Sequence, residues 1–350
     1  MKVLLIGFYG YHNIGDDLFV RNLIDFLLPK CKKISVICNN NYYLTHYQET
    51  QKISFYRSQE LSRIQRLRLI SESDYIAWGG GTLQIDEEPK NLKNVRWASN
   101  FLGKKFGFLG VGLEGANVES LKGVKKLFSN SDFLYFRDQD SFEIGNDITS
   151  SKKSCFLGGD LAFLDLSYYE KFVHSEKEKI IQNISFTGKH WWGEGRAEFY
   201  ARSLKKLIQR YDSVVHLLPG KVGTEKNDNE FSSRLKTFLP EENCILHTWK
   251  TPQDFLKILG GMDFHIGNRL HSIILADILG VPNIGISSNP PKIASYIRKT
   301  SVLVDQRISE FMEEISIDTI EFVFDNYKRA DGFIVQESSS AKKILEEIFV

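Results

Sequence analysis

Short apolar runs alternate with amphipathic stretches along the chain, and Gly, Pro or Asn punctuates the changes of period. In the first half, Lys2–Phe8, Ile34–Cys38, Tyr75–Trp78, Phe106–Val111 and Phe133–Phe136 read as strands. Helical spacing falls at Leu18–Leu28, Leu61–Ile70, Glu119–Phe128 and Gln139–Ile144. That rhythm is βαβ, and it predicts a parallel sheet covered on both faces. It lapses between Phe163 and Lys179, where a polar and aromatic stretch reads as a crossing between lobes. A second series then supplies strands at Ile180–Phe186, Val214–Leu218, Cys244–His247, Phe264–Ile266, Asn283–Ile286 and Val302–Val304. Its helices are Glu198–Gln209, a segment opened by Thr251-Pro252, and Leu270–Leu279 closed by Gly280. The expectation is an α/β protein of two doubly wound lobes facing a cleft. They divide at 1–170 and 171–317, and helices within 318–350 pack back across both.

At 350 residues the chain is too long for one comfortable core, which agrees with two lobes. With 42% hydrophobic and 25% charged residues it can offset the entropy of ordering, so a folded protein is expected throughout. Forty-five basic against forty-four acidic residues leave a net charge of +1, and no global field draws it to nucleic acid. Glycine arrives at Gly7, too early for a signal peptide, and no apolar stretch is long enough to cross a bilayer. A cytoplasmic protein is expected. Cys31, Cys38, Cys155 and Cys244 are widely separated and read as reduced, buried thiols. No His, Asp or Glu cluster has metal-ligand spacing, so neither a metal nor a cofactor is expected.

The candidate chemistry lies in loops that follow strands. The first, Gly7-Phe8-Tyr9-Gly10-Tyr11-His12-Asn13-Ile14-Gly15-Asp16-Asp17, opens a helix, where backbone N–H groups and the helix dipole favour an anion. It matches neither a dinucleotide fingerprint nor a P-loop. A tight turn capped by Asp16 fits the same residues. Gly79-Gly80-Gly81-Thr82-Leu83-Gln84-Ile85-Asp86 lets a ligand approach bare backbone, with Gln84 and Asp86 able to meet sugar hydroxyls or Asp86 to serve as a base. A mobile turn is the alternative. Gly110-Val111-Gly112 repeats the device at the next strand end. In the second lobe, Gly267-Asn268-Arg269-Leu270-His271-Ser272 sits at a strand-to-helix junction. Arg269 offers a planar fork for phosphate or carboxylate, and His271 can pair with an anion or move a proton.

One further stretch, Leu61–Ile70, carries Arg63, Arg66 and Arg68 on an amphipathic pattern. An ordinary solvated helix face accounts for it, and docking at a membrane surface is the minority reading.

Taken in order, these motifs resemble the polysaccharide pyruvyl transferases. The likeness rests on Gly-Tyr-His-Asn-Ile-Gly-Asp-Asp (10–17), Gly-Gly-Gly-Thr-Leu-Gln (79–84), Gly-Val-Gly-Leu (110–113), Arg137-Asp138-x-x-Ser141 and Gly-Asp-Leu-Ala-Phe (159–163). It continues through Asn-Arg-Leu-His-Ser (268–272), Gly-Val-Pro-Asn-Ile-Gly-Ile-Ser (280–287) and Lys292. The resemblance implies a GT-B-like pair of Rossmann-like lobes and phosphoenolpyruvate as donor and co-substrate. The acceptor it implies is a sugar of a bacterial capsule or exopolysaccharide, often lipid-linked, with transfer forming a cyclic pyruvate ketal. The donor would be held by Asn268, Arg269, Leu270 and His271, in the C-terminal lobe. Where the family carries an arginine after the first strand of that lobe, this chain has Lys189, a point charge in place of a fork. Asn13, Gly15, Gly80, Gly81 and Gln84 are the acceptor-side candidates, with His271, Asp16 and Asp86 for proton transfer. A lipid-linked acceptor would bring the protein to the inner face of a membrane as a peripheral contact.

Two rivals share these residues. A GT-B glycosyltransferase would use a nucleotide sugar, but such enzymes commonly hold the ribose with Glu at the position of Leu275. A catalytically inactive glycan-binding homologue would draw its support from the Lys189 segment.

Overall fold

A computed structural model of the chain describes residues 1–84, 90–114, 121–149, 154–173, 180–223, 227–287 and 291–349. Asp86 therefore lies outside the described residues. The chain divides into two units, one of residues 1–11, 15–165 and 335–350 and the other of residues 12–14 and 166–334. The division after Asp165 falls within the stretch 163–179, and of the C-terminal segment residues 318–334 belong to the second unit and 335–350 to the first.

The first unit is built on β1 (Lys2–Ile6), β2 (Lys33–Cys38), β3 (Ile53–Arg57), β4 (Tyr75–Gly79), β5 (Thr82–Gln84), β6 (Lys105–Glu114), β7 (Phe133–Phe136) and β8 (Ser154–Leu157). Its helices are α1 (Ile14–Leu27), α2 (Arg63–Glu72), α3 (Lys90–Phe101), α4 (Leu121–Phe128) and α5 (Gln139–Thr149). The strands run in parallel in the order β3-β2-β1-β4-β6-β7-β8, with β5 paired to β6. Alternation along the strands sends Ile76, Phe106, Phe108, Leu134 and Phe136 to one core with Leu69 and Ile70 of α2 and Leu127 and Phe128 of α4. Ser62 and Gln65 form a capping box that starts α2.

The second unit continues with α6 (Ser167–Glu170), β9 (Asn183–Thr187), α7 (Glu194–Tyr211), β10 (Val214–Leu217), α8 (Asn229–Lys236), β11 (Cys244–Leu246), α9 (Pro252–Gly260) and β12 (Phe264–Gly267). It closes with α10 (Leu270–Leu279), β13 (Asn283–Ile286), α11 (Lys292–Thr300), α12 (Val304–Arg307), β14 (Ile308–Ser309) and α13 (Ile317–Asn326). The last helix, α14 (Asp331–Ile348), begins nine residues before the predicted Ser340 and falls mostly in the first unit. The sheet order is β11-β10-β9-β12-β13-β14, again parallel.

In both sheets the first strand has neighbours reached by opposite windings, β2 and β4 beside β1, and β10 and β12 beside β9. Beyond the carboxyl ends of such strands lies the usual ligand position of an open α/β sheet. The glycine loops after β1 and β4, and the Arg-Leu-His segment after β12, occupy those places.

One face of the second sheet is apolar, with Ile184, Phe186, Val215, Leu217 and Ile266 packed under α7 and α8. The other carries a buried polar row in register, His216–Ser185–His265–Asn283. Each member is hydrogen-bonded, as buried polar groups must be to offset desolvation. Asn283 hands the row on to Asp277, which pairs with the fully buried Arg307 at 2.6 Å. That pair explains a departure from expectation. Val302–Val304 is not a strand, because α12 starts at Val304, turning Arg307 inward to Asp277, and the edge strand follows as β14.

Candidate active site

In the first unit, three strand-end loops converge. Tyr9 is buried under the first loop, and its hydroxyl donates to the Gly79 carbonyl at 2.9 Å. Burial raises that phenol's pKa far above its usual value. Asp17, in the first turn of α1, accepts the Gly10 N–H at 2.7 Å and the Tyr42 hydroxyl at 2.8 Å. Its burial, reinforced by the Asp16 charge, outweighs these bonds and moves the carboxyl up to about 7. Asp17 is thus the brace of the loop, and its neighbour Asp16 turns toward the next one. A Cβ on Gly81 would lie 3.0 Å from Asp16 Oδ1, and one on Gly80 would lie 2.0 Å from the Phe19 ring. Both glycines have positive φ, +72° and +81°, so side chains are excluded twice over.

The third loop is tied to the second by the Gly112 N–H, which donates to the Gly81 carbonyl at 3.0 Å. Behind it, buried Arg137 donates to Asp160 at 2.9 Å and to Thr82 at 3.3 Å. The Ser141 hydroxyl accepts the Leu113 N–H at 2.8 Å. The segments Arg137-Asp138-x-x-Ser141 and Gly159-Asp160 therefore act as a clamp on the glycine loops. Gln84 lies on β5, register-paired with Glu114. Gly15 lies in the first turn of α1.

Asn13, expected on the acceptor side, groups with the second unit. It forms an isolated antiparallel bridge with Lys221, flanked by Ile14 N–H to Gly220 O (3.1 Å) and Val222 N–H to His12 O (3.0 Å). His12 is in the left-handed region (φ +53°), its ring 6.3 Å from that of buried Trp249.

The second unit gathers the ends of β9, β10 and β12 around one carboxylate, Asp228. It is fully buried and accepts both Nε (2.9 Å) and Nη2 of Arg269, together with the backbone N–H groups of His190 and Lys221, each at 3.0 Å. Burial alone would raise its pKa, but Arg269 and the other donors reverse the sign and hold it below the ordinary carboxylate range. Asp228 occupies the N-cap position of α8, yet its side chain does not cap that helix. It fixes the guanidinium instead. Gly220 leaves room for it, since a Cβ there would stand 3.0 Å from Arg269 Cγ.

Arg269 is half-buried, and its guanidinium carbon lies 5.9 Å from the ring centre of the exposed Trp191. Lys189 Nζ approaches the same ring at 4.8 Å. The two predicted cations are therefore neighbours across one indole. Leu270 and His271, in the first turn of α10, are half-buried beside them in sequence. Asn268 departs from expectation. It is fully buried, with its amide donating to the Ile286 carbonyl at 2.5 Å, so it braces the end of β12.

Beneath Arg269 runs a buried relay. His265 lies between Ser185 (2.8 Å) and Ser272 (2.9 Å), and the Ser272 hydroxyl also meets Thr187 (3.0 Å) and the Arg269 carbonyl (2.8 Å). Burial lowers the His265 pKa to about 3 and keeps the ring neutral. Sequence reasoning missed Asp228, Trp191 and this relay; only the two paired tryptophans after Lys189 hinted at any of them. Among the described residues no group of three or more His, Cys, Asp or Glu could hold a metal ion.

The fold is shared with solved sugar-processing proteins. A UDP-GlcNAc 2-epimerase from Neisseria meningitidis matches with a TM-score of 0.67 at 12% identity, covering 99% of each chain. An Anabaena protein solved with UDP and glucose gives 0.66 at 12%, again over 99% of each. A glycosyltransferase from Rickettsia africae gives 0.64 at 10%, over 99% of this chain and 97% of that one. At such identities the likeness shows a GT-B-like fold of two Rossmann-like units and nothing of substrate. A search of curated proteins found no match. The family model for polysaccharide pyruvyl transferase matches residues 13–290, from the first glycine loop through the Arg-Leu-His segment and β13, and the chain belongs to that family of transferases.

Proposed function

We propose that the protein transfers pyruvate from phosphoenolpyruvate to two hydroxyls of a sugar in a bacterial surface polysaccharide precursor, forming a cyclic ketal and releasing phosphate. The observation that supports this most is the pair Arg269 and Lys189 around Trp191, with Arg269 locked by Asp228. A donor bearing both phosphate and carboxylate needs two cationic anchors, and a guanidinium held in one orientation can meet one of them bidentately.

In the chemistry this implies, an acid adds a proton to the donor's methylene carbon, which becomes the methyl group. One sugar hydroxyl adds to the neighbouring carbon and gives up its proton. The bond to phosphate oxygen then breaks, and phosphate leaves with the electron pair. The second hydroxyl closes the ketal and loses its own proton, so that each sugar proton lost balances the one on the methyl group or the one on phosphate. His271 is assigned as the acid or base at the donor. Asp16, or Asp86 in the adjoining segment, is assigned as the base at the sugar. Gly80, Gly81 and Gln84 would offer backbone and amide groups to sugar hydroxyls, as would Gly15 and Asn13.

Structural neighbours solved with UDP raise the nucleotide-sugar alternative. Against it, Leu275 is fully buried and apolar, and the acid that α10 does carry, Asp277, is committed to Arg307, Asn283, Tyr296 and Tyr327. The helix therefore supplies no carboxylate for a ribose.

The test is incubation with phosphoenolpyruvate and lipid-linked or synthetic glycans, read by mass spectrometry for a pyruvyl ketal and by phosphate release. His271→Ala should abolish phosphate release with the fold intact. Near-normal turnover would refute its role. Binding of phosphoenolpyruvate without turnover on any acceptor would point to an inactive glycan-binding homologue.

A further inference from the structure

The first unit leaves an apolar and basic surface uncovered on α2 and α3, helices that pack side by side. α2 buries Leu69 and Ile70 but leaves Ile64 and Leu67 at 79% and 46% exposure. On α3, Trp97 (63%) and Phe101 (76%) stack on each other with ring centres 5.5 Å apart, and Leu102 follows them outward. Four large apolar side chains on two adjacent helices, with Leu102 just beyond α3, form a patch of the kind that marks an interaction surface.

The charges say which kind. Over 61–72 and 92–105 the basic residues are Arg63, Arg66, Arg68, Lys93, Arg96, Lys104 and Lys105, against Glu72 alone, in a chain whose net charge is +1. Not all of them belong to the patch: Arg96 is buried, Arg66 is turned to Ser58, Lys104 lies between α3 and β6, and Lys105, on β6, donates to the Tyr75 hydroxyl at 3.0 Å. Arg68 pairs with Glu72 at 2.7 Å. The exposed ones are placed at helical repeats beside the apolar groups, Arg63 one turn before Leu67, Ile64 before Arg68, and Lys93 before Trp97. A stacked Trp and Phe set among cations matches a membrane–water interface, where aromatic rings lie at headgroup depth and basic groups meet anionic lipid. Trp, Phe and Arg also occur at protein interfaces, but here the cations face a single acid, Glu72, and an anionic lipid surface meets such one-signed charge without needing a matched set of acidic side chains. No helix among the described residues is long and apolar enough to cross a membrane.

We infer that α2 and α3 form a docking surface for an anionic lipid bilayer. The inference is independent of the pyruvyl-transfer reading, since vesicle binding is measured without substrate; either can fail while the other stands.

The experiment is co-sedimentation of the full chain with vesicles of equimolar phosphatidylglycerol and phosphatidylcholine, or of phosphatidylcholine alone, at low and high salt. Wild type should partition onto the anionic vesicles and be released by salt. At roughly a fivefold loss per basic residue near such a surface, Arg63→Gln with Lys93→Gln should weaken partitioning about twenty-five-fold. Trp97→Ser with Phe101→Ser should remove binding at low salt, where wild type partitions. All four side chains are exposed, so unchanged thermal unfolding is expected and serves as the folding control. Absence of binding to anionic vesicles, or equal binding by wild type and both variants, overturns the inference. So does a dimer seen by light scattering that Trp97→Ser with Phe101→Ser dissolves, which would assign the patch to a second copy of the chain.

Discussion

Replacing Asp228 by Asn tests whether the carboxylate sets the position of Arg269. The volume is unchanged, but of the two oxygens that accept Arg269 Nε and Nη2, one becomes an NH2 that faces a donor. Hydrogen bonds to a buried charged group are each worth about 1.5–3 kcal/mol, and breaking a buried ion pair from one side costs about 3–5 kcal/mol. The Arg269 side chain is 22% exposed, so water recovers part of its solvation, which sets the loss nearer 3 kcal/mol. For a unit of this size that lowers the unfolding midpoint by roughly 6–12 °C. The folded-state pKa of Asp228 is depressed, so its stabilisation is fully present above the ordinary carboxylate pKa and is lost as pH falls through the depressed value. The gap between variant and wild type should therefore be constant across neutral pH and close only in acid.

The kinetic consequence is separate from stability. A guanidinium displaced by about 1 Å costs on the order of a hundredfold in rate, so kcat/KM for phosphoenolpyruvate, the donor proposed above, should fall by one to two orders of magnitude at a temperature where the variant is folded. Arg269→Lys keeps the charge and removes the fork. It should give a similar loss, and the double variant should lose little more than either single one, because both changes break one interaction. Unchanged unfolding with kcat/KM within twofold of wild type would refute the reasoning, as would strictly additive losses.

His265 is kept neutral by burial at a pKa of about 3, so the unfolded chain binds a proton that the folded one refuses, and stability is lost as pH falls from 6.5 toward 3. His265→Asn should flatten the dependence by about 1.4 kcal/mol per pH unit over that range, roughly 2 kcal/mol between pH 6.5 and 5, measured by denaturant titration at each pH. An unchanged slope would show that the relay accepts the proton. Gly80→Ala must hold a Cβ at φ +72° and 2.0 Å from the Phe19 ring, and should destabilise the first unit by roughly 2–5 kcal/mol. Hydrogen exchange of β4 and β6 reads this directly, and a change under 0.5 kcal/mol would contradict the close packing of that loop.

The strands most legible in the sequence are those buried on both faces: β1 and β7 carry the runs Val3–Ile6 and Phe133–Phe136, and β2 beyond Lys33 and β13 combine β-branched residues only with small or amide side chains. β3 and β8 were illegible for the complementary reason. They lie at the two ends of the first sheet, are mostly half-exposed, and mix polar with apolar residues as edge strands do. The segment Val302–Val304 misled because its apolar residues look like a strand, while the decisive residue is Arg307. An arginine beside an apolar run signals solvent in sequence, and it is the pairing with Asp277, together with acceptors from Asn283, that makes its burial possible.

The site divides along the same line. Gly80 and Gly81 were legible because a positive φ joined to close packing rejects a side chain and leaves glycine in the sequence, whereas His12 holds a positive φ without such a mark. Asp228 left no such mark. It lies 41 residues from Arg269, in a polar segment that reads as a helix cap, and it acquires its role only when the ends of β9, β10 and β12 are brought together. Asn268 shows the converse case. Asn-Arg-Leu-His reads as a row of ligands, but the residues straddle the passage from strand to helix, and consecutive side chains there point in different directions. Asn268 goes inward to hold Ile286, and Arg269 goes outward to Asp228 and Trp191. Orienting Arg269 therefore takes residues on both sides of it, one bracing its backbone from below and one fixing its guanidinium, and only the first adjoins it in the chain.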